Sequence, residues 1–99
     1  MTTLQQLQDE QSAWADRTFP GETIESVIDH LIEEARELRN APHDLVEMAD
    51  VLLLVLRTAR LGGFNTNDLV KAARLKLDVC KTRQWENIDG NWRHVKGAI

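Results

Sequence analysis

Apolar residues recur along this chain mainly at helical spacing. Breakers at Pro20-Gly21, Asn40 to Pro42, Gly62-Gly63 and Asp89-Gly90 divide it into four helical stretches and a short tail. From about Thr3 to Asp16, Leu4, Leu7, Gln11 and Trp14 form one stripe. From Thr23, an N-cap residue type, to about Arg39, the apolar positions Ile24, Val27, Ile28, Leu31, Ala35 and Leu38 fall within roughly 100° of arc, as in an amphipathic helix. A third helix runs from about Pro42 or Asp44 to Leu61, where Asp44-x-x-Glu47 fits a capping box and Gly62-Gly63 a stop. A fourth runs from about Thr66 to Trp85, and Asp89-Gly90 is a turn signal that would close a small hairpin. The link between the second and third helices is so short that it makes them antiparallel neighbours. The pattern predicts an all-α, antiparallel four-helix bundle with a short C-terminal hairpin or extended tail, in a single helical domain over residues 1–99.

The third helix carries the chemistry. In L-V-E-M-A-D-V-L-L-L-V-L (Leu45 to Leu56) ten of twelve residues are apolar and surround the helix, which predicts a buried helix. Two carboxylates, Glu47 and Asp50, interrupt it one turn apart. Burying an unpaired carboxylate costs several kcal/mol, and Arg57 is the only base further along that side. The second helix presents Glu33, Glu34 and Glu37 as E-E-x-x-E. By itself that spacing is ordinary for a solvated helix, since glutamate is a good helix former. In an antiparallel hairpin, however, Glu34 and Glu37 come level with Asp50 and Glu47, so four carboxylates converge on the margin facing the neighbour. Glu33 points further out. Hard oxygen ligands alone select Mg²⁺, with Mn²⁺ as the usual substitute.

Charge along the chain extends this picture. The net charge is −4, but between Glu22 and Asp50 nine acids stand against Arg36 and Arg39, whereas between Lys71 and Arg83 five bases stand against Asp78. An acidic segment followed by a basic one suits a cation site beside an anion site, and argues against a nucleic-acid groove, which needs one basic face. Mg²⁺ with open positions next to bases suggests a polyphosphate substrate. Lys76 and Arg83, seven apart, share a face that would meet phosphates, while a solvated surface accounts equally well for Lys71, Arg74 and Lys81. His30 lies one turn before Glu34, placed to orient that carboxylate, to touch substrate or simply to fill an interface. Trp14 and Phe19 suit either stacking on a base or core packing. Cys80, the sole cysteine, excludes an intrachain disulfide and reads as a small core residue. With no apolar run long enough to span a membrane and no secretory leader pattern, the expected setting is a soluble, reducing compartment. No phosphate-binding glycine loop, nucleophile elbow or zinc-protease motif is present.

R-T-F-P (Arg17 to Pro20), H-L-I-E-E-A-R-E-L (His30 to Leu38), D-L-V-E-M-A-D (Asp44 to Asp50) and K-L-D-V-C-K-T-R-Q-W (Lys76 to Trp85) together resemble the MazG-like branch of the all-α nucleoside triphosphate pyrophosphohydrolases, and more narrowly the small phage and bacterial dATP/dGTP pyrophosphohydrolases. The resemblance runs from about Trp14 to the C-terminus. It implies Mg²⁺ ligation by Glu34, Glu37, Glu47 and Asp50, with Glu33 near the metal or water. It implies hydrolysis between the α and β phosphates of a (deoxy)nucleoside triphosphate, by the narrower resemblance a purine dNTP, to a monophosphate and pyrophosphate. It also implies a homodimer or dimer of dimers in the cytosol of a bacterium or phage-infected host. Lys76, Lys81 and Arg83 stand where the family pattern expects bases, and Cys80 stands where relatives usually carry asparagine; with His30 and Trp14 these are the candidate substrate contacts.

Three other readings remain at this point: a related pyrophosphatase for dCTP/dUTP or phosphoribosyl-ATP, a ferritin-like carboxylate bundle, and a non-enzymatic helical interaction module. The ferritin-like bundle needs Glu-x-x-His ligand pairs, which His30, four residues before Glu34, does not supply.

Overall fold

The computed structural model describes residues 1–96; the last three residues of the domain expected over 1–99 lie outside the described residues. The elements are α1 (Leu4–Thr18), α2 (Ile24–Asn40), α3 (Leu45–Leu61), α4 (Thr66–Thr82), β1 (Trp85–Ile88) and β2 (Asn91–His94). Each helix begins where a short polar side chain can accept from an otherwise unpaired backbone N–H. Thr3 and Gln6 cap α1 reciprocally: Gln6 N donates to Thr3 Oγ1 at 3.1 Å and Thr3 N to Gln6 Oε1 at 2.9 Å. Thr23 accepts from Ser26 N at 3.2 Å at the start of α2. Asn65 and Asp68 cap α4 in the reciprocal way, at 2.8 and 3.1 Å. Asp44 caps α3 through Val46 N at 2.9 Å, so the expected capping box with Glu47 is not closed. Glu47 instead points its carboxylate toward α2 and other carboxylates.

The chain divides into two compact units, one over Met1–Leu69 and one from Val70 onward. In the first, α3 packs against both α2 and α1. The contacts to α1 run antiparallel. Gln8 Nε2 donates to Leu56 O at 3.1 Å, Gln11 Nε2 to Leu53 O at 2.7 Å and Arg60 Nη2 to Asp9 Oδ1 at 2.6 Å. The face α1 turns inward is therefore Gln8, Ser12 and Ala15, rather than the stripe that included Leu4 and Trp14, both of which are exposed. Amide side chains win this face because they satisfy backbone carbonyls of the neighbouring helix and loop; Gln8, wholly buried, also donates to Phe64 O at 3.2 Å.

Leu56, Val27 and Ala15 form the buried apolar centre. The expectation that α3 is buried on every side does not hold within one chain. Leu45, Val46, Met48 and Leu52 are exposed, because α1 and α2 cover only part of its circumference.

In the second unit α4 exposes Val70, Leu75, Leu77 and Val79 and ends at Thr82, three residues earlier than the pattern suggested. Trp85 pairs with His94 in an antiparallel hairpin instead of continuing the helix, while its indole Nε1 donates to Cys80 O at 2.9 Å and covers a carbonyl of the last turn. Asp89 (φ 53°) and Gly90 (φ 84°) supply the two positive φ angles that a two-residue turn between strands requires.

Candidate active site

The antiparallel pairing of α2 and α3 brings Glu34, Glu37 and Glu47 together, with one carboxylate oxygen of each lying within 4.8 Å of the others. Glu34 and Glu37 are one turn apart on α2, and Glu47 faces them from the first turn of α3. Like charges this close do not all ionise freely. A hydrogen bond that protonated Glu37 donates to Glu34, then the charge of Glu34, raise the Glu37 pKa, with smaller contributions from desolvation and from the charges of Glu47 and Asp50. Glu47 is raised chiefly by burial, and then by the charges of Asp50, Asp44 and Glu34.

Arg57, a base further along α3, is committed elsewhere. Arg57 Nε donates to Glu22 Oε1 at 2.7 Å and its Nη2 to Asp16 Oδ1 at 3.1 Å, so its charge is spent there and not on Glu47 and Asp50. Glu34 Oε2 and Glu47 Oε2 are buried and have no hydrogen-bond partner among the described residues. Two orphaned anionic oxygens in an all-oxygen set fit a hard divalent cation. His30 Nε2 sits 3.1 Å from Glu34 Oε1, fixing one oxygen of that carboxylate and leaving the orphaned one free.

Asp50 lies one turn beyond Glu47, outside the tight three-carboxylate group, and its charge is felt there. Together with Glu34 and His30 it lines an adjoining cavity of about 410 Å³, a volume suited to a small molecule. The cavity's apolar wall is Trp14, Phe19, Ala15, Leu53 and Leu54, and its polar wall adds Gln11, Glu22 and Arg57. Trp14 and Phe19 meet edge to face with ring centroids 5.2 Å apart, and both are exposed, so neither is a core residue.

Glu33 is exposed on α2 and outside the carboxylate group. Lys76, Cys80, Lys81 and Arg83 belong to the second unit; Lys76 and Lys81 are exposed, Cys80 and Arg83 half-buried. Gln11, Glu22 and Arg57 were not expected at a site. Their partners lie 35 to 42 residues away in sequence, so no local spacing announces them.

Comparison with known proteins agrees with this geometry. The family model for dATP/dGTP pyrophosphohydrolases matches residues 7–97. A dATP/dGTP diphosphohydrolase of Salmonella phage PMBT28 is 41% identical over 86 residues, covering 85% of this chain but 29% of that longer protein. A dATP/dGTP diphosphohydrolase of cyanophage S-2L is 37% identical over 99 residues, covering 97% of this chain and 91% of its own length. The solved structure of the cyanophage S-2L MazG-like pyrophosphohydrolase, bound to dGDP and three catalytic Mn²⁺ ions per active site, superposes with a TM-score of 0.82 at 36% identity, over 99% of this chain and 97% of that one. Carboxylates gathered from two antiparallel helices, a cavity beside them, and a family match over nearly the whole sequence lead to one assignment: this chain belongs to the dATP/dGTP pyrophosphohydrolase family of enzymes.

Proposed function

We propose that this chain hydrolyses a purine deoxynucleoside triphosphate between the α and β phosphates, giving the monophosphate and pyrophosphate. The observation that carries the reading is the Glu34, Glu37 and Glu47 cluster, two of whose oxygens are buried without partners, with Glu34 also lining an aromatic-walled cavity. Glu34, Glu37 and Glu47, with Asp50 beside them, would hold Mg²⁺, or Mn²⁺ in its place. A cation there supplies an activated water and neutralises charge developing on the phosphates.

The remaining work falls to the chain. His30 orients Glu34 through Oε1. Glu33, next to Glu34 on α2 and free of the cluster, is the carboxylate available to receive the proton of the attacking water. Trp14 and Phe19 give the base an apolar surface to lie against. Lys76, Lys81 and Arg83 are assigned to the phosphates and Cys80 to the nucleotide, at the position where the family pattern usually has asparagine.

The functional unit is one domain over residues 1–99 that assembles as a homodimer or dimer of dimers. The assembly would cover the exposed Leu45, Val46, Met48 and Leu52 of α3 and Leu75, Leu77 and Val79 of α4. No described helix is long and apolar enough to cross a membrane, and the proposed setting is the cytosol of a bacterium or phage-infected host, without a nucleic-acid or membrane partner.

Incubation with Mg²⁺ and each of dATP, dGTP, dCTP, dTTP and dUTP, with separate detection of pyrophosphate and orthophosphate, tests the reading. Pyrophosphate and dNMP from dATP and dGTP are expected, and EDTA should stop the reaction. Turnover confined to dCTP or dUTP would move the chain to the related pyrophosphatases.

A further inference from the structure

The cavity holds two polar groups that the proposed chemistry does not use. Arg57 is the more unusual. Its side chain is 5% exposed, and Glu22 and Asp16 hold two of its three nitrogens, yet Nη1 is buried with no partner among the described residues. An unsatisfied buried donor is costly, and a ligand that accepts from it removes the cost. That ligand is not a phosphate. One guanidinium set against the carboxylates of Asp16 and Glu22 carries no net positive charge to offer an anion. What suits the Arg57 donor is a neutral acceptor, such as a ring nitrogen or carbonyl oxygen.

Gln11 is its counterpart. The amide Nε2 donates to Leu53 O at 2.7 Å, which fixes the side chain's orientation and leaves Oε1 buried and unpartnered. Leu53 and Arg57 are four apart on α3, one helical turn, so the free acceptor and the free donor stand along the same stretch of cavity wall. Trp14 and Phe19 lie among the residues that line this cavity with them. A flat, neutral, apolar-faced molecule with an N–H and an acceptor on its edge meets every one of these features, and a nucleobase is such a molecule.

Resting on the function proposed above, we infer that Gln11 Oε1 and Arg57 Nη1 are the specificity-determining pair that reads the edge of the nucleobase, the first accepting from a base N–H and the second donating to a base acceptor. The charge of Arg57 is spent on Glu22 and Asp16, which position it; only its remaining N–H groups face the ligand.

The test is calorimetric binding of dAMP, dGMP and, as a base-free probe, deoxyribose 5-phosphate to the full chain with Mn²⁺. Gln11→Met removes the acceptor at nearly constant volume. Arg57→Lys keeps a charge for Glu22 and Asp16 while removing Nη1. Thermal melts screen both variants for folding, and Gln11→Met carries the test if Arg57→Lys unfolds. Each variant should weaken dAMP and dGMP by about tenfold, the worth of one hydrogen bond, and leave deoxyribose 5-phosphate unchanged. Equal losses for all three probes, or no loss for the nucleotides, would overturn the inference. Base-dependent binding that persists in a chain releasing no pyrophosphate would sustain this inference and defeat the proposed hydrolysis instead.

Discussion

Glu37 and Glu47 are raised because carboxylates crowd them, and this has a direction in pH. A carboxyl whose pKa is higher folded than unfolded binds more protons in the native state. Its effect on metal-free stability is therefore most favourable in acid, and is lost as pH rises from the unfolded value of 4.5 through the raised folded value. Metal-free Glu47→Gln should thus melt no lower than wild type at pH 7 while losing activity by about a hundredfold or more. A much lower melting temperature would instead mark Glu47 as a structural ion-pair partner. Mg²⁺ or Mn²⁺ should raise the wild-type melting temperature by linkage, and this gain should shrink in acid, where protons compete for Glu37. Glu34, Glu37 and Glu47 were legible in the sequence because their logic is local, two carboxylates one turn apart on α2 and one facing them across a short link, whereas Asp50, expected level with Glu34, lies outside the tight group. Gln11 and Arg57 were not legible, since their roles depend on partners brought together only by the packing of α1, α2 and α3.

At the scale of elements, α1 shows how a polar residue can hold a helix in place. Gln8 is wholly buried and donates to the carbonyls of Leu56 and Phe64, tying α1 to α3 and to the loop that follows it. Gln8→Leu should lower stability by about 1–3 kcal/mol, the range for leaving a buried carbonyl unpaired, and shift the urea midpoint with little change in slope. Apolar periodicity alone misplaced this helix's inner face, because it scores glutamine as a surface residue. The same reading located the Asp89-Gly90 turn, whose positive φ angles demand those residue types, but ran α4 on to Trp85. Helix spacing cannot register that Trp85 has a strand partner in His94.

At the scale of the molecule, the apolar surface left on α3 is the outstanding feature. The sequence pattern predicts a helix buried on every side, and one chain covers only part of it. A homo-oligomer should therefore be present at micromolar concentration by light scattering, and Val46→Glu with Leu52→Glu should shift it toward monomer. A wild-type chain that is monomeric and fully active would remove the need for any partner copy. The account as a whole rests on the carboxylate cluster cutting a triphosphate at one particular bond. Phosphorus NMR of dGTP turnover with Mg²⁺ tests this most directly: the account predicts dGMP and pyrophosphate, abolished by EDTA and by Asp50→Asn, whereas dGDP with orthophosphate, or turnover indifferent to EDTA, would contradict it.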